Sequence, residues 1–152
     1  MRLALDSNIL IYALDTKAGE KHLRAKEVVA AAMLGDTMVP AQVLGELLSV
    51  IGRRRPEFAA AALSQARRWS EIFTIAETSV QAVLAAAEFG GRHKLQFWDS
   101  LIWQVARIAG ARILLTEDLQ DGLELEGVVA INPLVERNAA ALRSLWNEKD
   151  EG

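Results

Sequence analysis

Five short apolar runs, separated by longer stretches with helical periodicity, constrain this chain most. The runs are residues 3–6, 37–39, 72–75, 112–115 and 128–131. Strands that alternate with helices pair in parallel, bury both faces and cross over right-handedly. The reading is therefore α/β: a central five-stranded parallel sheet with helices on both faces, in a three-layer sandwich. Helices are expected over residues 8–14, 20–34, 41–53, 56–70, 79–90, 98–109 and 135–147. Pro56 suits a first helical turn. Gly35, the Gly90-Gly91 pair and Gly110 read as stops. Residues 147–152 are expected to fray. No internal repeat or linker divides the chain, so residues 1–152 read as a single domain.

Composition narrows the function classes. With 152 residues, 51% of them hydrophobic, the chain can bury a real core. It has no cysteine, which excludes disulfides and thiolate metal sites. A strand-like segment follows Met1 directly, leaving no room for a signal peptide. The apolar run at 28–34 is too short to span a bilayer. The expectation is a soluble, cytoplasmic protein with no membrane partner. The net charge of −3 looks wrong for a nucleic-acid binder. Setting aside four candidate metal ligands, however, leaves 20 − 4 = 16 acids against 17 bases, a near-neutral remainder.

Those four are Asp6, Glu46, Asp99 and Asp118, in the contexts LALDSNILIYA, AQVLGELLSVIGRR, QFWDSLI and ILLTEDLQDG. In open parallel sheets, sites form beyond the carboxyl ends of the strands, where strand order reverses. Asp6 and Asp118 lie just past strand ends. Each acid also has an ordinary reading. Asp6 would serve as an N-cap, although Ser7 could cap instead. Glu46, on the shoulder of an apolar helix face, would be a solvated rim residue. Asp99 would favour a first helical turn electrostatically. Asp118 would be turn chemistry, with Asp121 as the reserve fourth acid although Asp121-Gly122 also reads as a turn. Jointly the acids are harder to explain, because clustered carboxylates raise one another's pKa unless a cation offsets them. Asn8 would orient a carboxylate or a metal-bound water.

Taken in order, these segments resemble the PIN-domain family, and within it the VapC-type ribonuclease toxins of toxin–antitoxin pairs. LDSNILIYALD resembles the family's opening D-[ST]-N-[IV]-L motif. QVLGELLSVIGRR resembles the segment with the second acid, and FWDSLIWQVA the third. ILLTEDLQDG followed by GVVAINPL resembles the closing motif. The resemblance runs from about Leu3 to Leu134; the helix-like segment beyond extends past the family's usual end. It implies that Asp6, Glu46, Asp99 and Asp118 are catalytic and bind Mg²⁺ or Mn²⁺. Thr116 falls where the family often has a supporting hydroxyl. The substrate implied is RNA, and the partners a cognate antitoxin and a second copy in a homodimer. The helices 41–53 and 56–70 would supply either protein contact.

Other residues carry less. His22 reads as exposed and His93 as part of a GGRHK loop, so a paired-histidine nuclease is disfavoured. Arg53-Arg54-Arg55 and Arg92-His93-Lys94 are basic clusters that would touch phosphates without reading sequence. Arg92 and Lys94 are the better RNA-contact candidates, because their loop leads to Asp99. Trp103 reads as core, and Trp98 as packing beneath the site rather than stacking on a base. The rivals are a stand-alone PIN RNA-processing nuclease, a non-catalytic PIN module binding RNA or a partner, and a phosphoacceptor receiver domain. The last would need an acid pair after its first strand, where this chain has Asp6-Ser7-Asn8.

Overall fold

The structure, a computed structural model, describes residues 1–147. Strands β1 (Arg2–Leu5), β2 (Thr37–Pro40), β3 (Thr74–Ala76), β4 (Ala111–Leu115), β5 (Glu124–Leu125) and β6 (Val128–Ile131) form one sheet in the order 3-2-1-4-6-5. All pairs are parallel except β5–β6. The helices are α1 (Ser7–Leu14), α2 (Glu20–Leu34), α3 (Ala41–Arg54), α4 (Ala59–Ile72), α5 (Val80–His93), α6 (Phe97–Ile108) and α7 (Glu136–Asn147).

Adjacent strand residues point to opposite faces. Ala4 and Leu5 are both fully buried, as are Met38 and Val39, so both faces of the sheet are covered. Leu5, Met38, Leu114 and Leu115 pack with Ile9, Leu47, Ile102 and Trp103 in one core. Among the described residues no helix is long and apolar enough to cross a membrane.

Four expectations need correction. The sheet has six strands rather than five: a two-residue antiparallel strand, β5, turns back on β6 through Glu126 and Gly127, both at positive φ. Residues 56–58 form a separate 3-10 turn before α4, instead of its first turn. The third strand starts two residues later than expected, because α4 runs on to Ile72. Finally, α5 does not stop at Gly90-Gly91 but continues to His93, and Lys94 closes it in the left-handed region at φ 56°. The expected frayed end lies, beyond Asn147, outside the described residues.

Packing explains the run through the glycines. Gly90 lies where α5 crosses α6: a Cβ there would sit 2.8 Å from Ser100 Oγ and 3.0 Å from the Leu95 carbonyl. The neighbouring Gly91 faces open space. The two should therefore respond oppositely to alanine. Gly90→Ala should destabilise by ~1–3 kcal/mol through overpacking. Gly91→Ala should be stabilising by up to ~1 kcal/mol through helix propensity. Urea denaturation of both variants checks the pair; equal effects would contradict the crossing geometry.

Candidate active site

The sheet runs 3-2-1 to one side and 4-6 to the other, so strand order reverses between β1 and β4, where Asp6 and Thr116 leave the sheet. Leu5 pairs with Leu115, and the Asp6 N–H continues the ladder to the Leu115 carbonyl at 3.0 Å. Asp6 and Thr116 thus leave the same sheet edge side by side. The Thr116 hydroxyl donates to Asp6 Oδ2 at 2.8 Å, and the Ser7 N–H donates to Asp6 Oδ1 at 2.7 Å. Asp6 is therefore the N-cap of α1 and a candidate site residue at once. Ser7 does not take the capping role. Its hydroxyl donates instead to Glu46 Oε2 at 2.8 Å, joining α1 to α3.

Asn8 organises the opposite side. Its Nδ2 donates to Asp118 Oδ2 at 3.0 Å and to Thr116 Oγ1 at 3.2 Å, while its Oδ1 accepts from the Glu117 N–H at 3.3 Å. The Asp118 N–H donates to Thr116 Oγ1 at 3.2 Å. Thr116, 1% exposed, is thereby the knot of the network. Glu46 is half-buried on α3 and accepts from Gln42 Nε2, one turn earlier, at 2.8 Å. Asp99 is half-buried in the first turn of α6.

Asp6 and Asp99 each lie in the field of Glu46 and Asp118. Burial pushes the Asp6 carboxyl up to about 6, against the hydrogen bonds from Thr116 and Ser7, and Glu46 and Asp118 add to the rise. Asp99 is raised by burial, then by Asp118 and Glu46. Among the described residues no lysine, arginine or histidine forms a salt bridge with any of the four.

Asp121 stands apart. It accepts from the Asn132 N–H, from Asn138 Nδ2 and from Arg137, which together lower its pKa. It fastens the loop after β4 to α7, and its oxygens are already engaged. Arg92 is also drawn away, lying 3.6 Å from Glu126, which pairs with Arg107 at 3.2 Å. Arg92 and His93 are helical rather than in a loop. Trp103 is fully buried, as expected. Trp98 is not packed beneath the site: it is 57% exposed and meets the Phe97 ring in a T-shaped contact. His22 is half-buried, with Nδ1 2.8 Å from the Tyr12 carbonyl oxygen.

Sequence reasoning missed three contributors. Ser7 was visible only as a cap candidate. Gln42 precedes Glu46 by four residues, a spacing that places both on one helix face. Glu117 anchors the acidic loop from outside: Tyr12 donates to its Oε1, and Lys21 Nζ reaches Oε2 at 3.0 Å.

The donor set suits a hard divalent cation. It is all oxygen, it carries uncompensated negative charge, and the Gln42 Oε1 beside Glu46 is buried with no hydrogen-bond partner. Among the described residues no three Asp, Glu or His side chains are already gathered as a metal cage. Mg²⁺ does not require one, since it takes one or two carboxylates directly and keeps several waters.

A model of the PIN domain family matches residues 3–120, which contain all four acids and exclude Asp121. No curated protein matches the chain. Among solved structures, VapC20 from Mycobacterium tuberculosis, a sarcin–ricin loop cleaving toxin, is similar at TM-score 0.64 and 24% identity, covering 76% of this chain and 89% of its own. A toxin–antitoxin complex from Klebsiella pneumoniae is similar at TM-score 0.63 and 19% identity, with coverages of 86% and 97%. VapBC2 from Rickettsia felis, bound to a promoter DNA fragment, is similar at TM-score 0.63 and 18% identity, with coverages of 87% and 98%. At these identities the likeness is one of fold, and it removes the receiver-domain alternative. The family match spans well over half the sequence, and the chain belongs to the PIN domain family.

Proposed function

We propose that the protein is a metal-dependent endoribonuclease and the toxin of a VapBC-type toxin–antitoxin pair. The observation that carries the nuclease reading is the convergence of four acids at the switch point with no counter-charge. The toxin reading is supported by the fold shared with toxin and toxin–antitoxin structures. It brings a cognate antitoxin as partner, and a homodimer as the assembled form.

Asp6, Asp99, Glu46 and Asp118 would hold Mg²⁺ or Mn²⁺, some directly and some through water. When bound, the ion supplies an activated water and offsets charge on the scissile phosphate. The chain's residues set the geometry. Thr116 and the Ser7 N–H fix both oxygens of Asp6, so its carboxylate has one orientation. Asn8 holds Asp118 in place, and Ser7 with Gln42 clamps Glu46. Asp99 has no such clamp among the described side-chain hydrogen bonds and can adjust toward ion or substrate. An unpaired RNA strand suits the site because its backbone can bend into a cleft.

Cleavage of total RNA tests the reading. Wild type with Mg²⁺ or Mn²⁺ should cut, and a chelator should abolish cutting. Asp6→Asn and Asp99→Asn should each lower the rate by at least ~100-fold, the scale of removing one preorganised electrostatic group. Full activity in both variants would end the proposal. Titration calorimetry with Mn²⁺ separates lost metal binding from lost fold. RNA binding without any cut would favour the non-catalytic PIN module, and growth arrest on expression would favour a toxin over a stand-alone processing enzyme.

The raised Asp6 value makes a second prediction. A carboxyl whose folded pKa exceeds its unfolded value costs stability above the unfolded value, in full above the folded one. From 3.8 to about 6 the cost is on the order of 3 kcal/mol. Asp99 acts in the same direction, while Glu57, Asp121 and Glu136, held below their ordinary values of 4.5, 3.8 and 4.5, act in the opposite direction only at pH below those ordinary values. Chelated protein should therefore be more stable at pH 5 than at pH 7. Mn²⁺ should raise Tm at pH 7 and do so less at pH 5. Thermal melts at both pH values check this; a metal shift independent of pH would contradict it.

A further inference from the structure

Two of the helices beside the site, α1 and α3, also enclose a second feature at their far ends. Ser7 meets Glu46 at the start of α1, and Asp15, just past α1, meets Arg55, just past α3. The offset is 39 residues at the first pair and 40 at the second, so α1 and α3 run side by side in the same direction. The groove between their C-terminal halves holds a cavity of about 330 Å³. Ile11, Tyr12, Val50 and Ile51 line it along the helices, and Asp15, Arg54 and Arg55 line it at the end.

Two arginines at a helix C-terminus have an ordinary explanation, since cations there favour the helix dipole. That accounts for Arg53 and Arg54 being in the last turn of α3. It does not account for Arg55, whose Nε is buried without a hydrogen-bond partner. Its nearest acid is Asp15, at 3.5 Å, and Asp15 Oδ1 already accepts from the Lys17 N–H. The Arg54 guanidinium has no ion pair among the described residues. Nearby, Lys17 is paired with Glu57. One acid and two arginines therefore face the cavity, leaving it net positive and with an unmet donor.

We propose that this groove is a phosphate subsite for single-stranded RNA, with Arg54 and Arg55 binding a backbone phosphate that flanks the one at the acids. The proposal rests on the ribonuclease reading for the identity of the ligand. Eight residues of α3 separate Glu46 from Arg54, or ~12 Å at 1.5 Å per residue. A strand with its scissile phosphate at the acids would carry a flanking phosphate past the arginines. The two ends of the α1–α3 pair then divide the work: the acids beside the start of α1 repel RNA until a cation is bound, and the arginines at the C-terminal end of α3 attract it regardless. An acidic peptide would also meet two arginines; a phosphodiester chain is favoured because its regularly spaced phosphates reach the acids and the arginines along one strand.

Binding without turnover tests this. Fluorescence anisotropy of a short unstructured labelled RNA is measured in EDTA over a salt series, with wild type, Arg54→Ala, Arg54→Ala/Arg55→Ala and the remote Arg68→Ala. The double variant should bind ~10-fold more weakly, and Arg68→Ala within about twofold of wild type. Each neutralised phosphate of a single strand adds ~0.7 to the log–log salt slope, so the slope should fall by about that amount for every phosphate no longer engaged. Should removal of the Asp15–Arg55 ion pair unfold the double variant by circular dichroism, Arg54→Ala and Arg55→Lys carry the test. Arg54→Ala must still reduce affinity and slope, while Arg55→Lys keeps the charge and must retain the slope. Unchanged RNA affinity and slope in folded Arg54→Ala and double variants would overturn the subsite. So would unchanged RNA binding accompanied by weakened binding of a labelled poly-glutamate peptide. A protein that shows the slope change yet cuts no RNA keeps the subsite and loses the ribonuclease reading; one that cuts with no slope change does the reverse.

Discussion

The pairing of β1 with β4 is the constraint on which the rest of the site depends. Parallel strands end at the same sheet edge, so Leu5 opposite Leu115 forces Asp6 and Thr116 to emerge together. One further ladder bond, from Asp6 N–H to the Leu115 carbonyl, fixes that exit before any side chain contributes. Thr116 then serves three neighbours at once, donating to Asp6 and accepting from Asn8 and the Asp118 N–H. A shift of one residue in this register would turn Asp6 into the other face of the sheet.

Against that fixed backbone the acids are held at an electrostatic cost. A buried carboxylate with two acidic neighbours and no cation is an unfavourable arrangement, which hydrogen bonds only partly offset. Such local conflict between stability and placement is expected where function is located. The remaining charges are sorted away from the site. Glu126, at the tip of the β5–β6 hairpin, gathers Arg107, Gln104 and Arg92. Lys21 and Tyr12 hold Glu117, whose backbone in turn steadies Asn8. The loop carrying Asp118 is thus braced from both sides without a cation entering the acidic cluster.

Much of the fold was legible because its signals are local. Fully buried parallel strands read as short apolar runs, and all five expected strands exist within two residues of their expected positions. The errors have physical causes of the opposite kind. β5 is two residues long and exists only because β6 offers it an edge. The glycine pair in α5 looks like a stop, yet Gly90 is there for the approach of α6, a feature distant from any local helix signal. Trp98 beside a site suggests packing, but on α6 the buried face takes Trp103 and leaves Trp98 outward.

The same division applies to the acids. The sequence by itself determined the α/β class, the order of the motifs and which residue types were available for an oxygen-ligand site, because periodicity and composition are carried along the chain. Only the tertiary structure decided which acids share a field. Asp118 and Asp121 are three positions apart in one acidic loop. Asn8 on α1 draws Asp118 to the switch point, whereas Asn132, Arg137 and Asn138 draw Asp121 to α7. Those partners belong to other elements on different sides of the loop, and a carboxylate goes where its donors are.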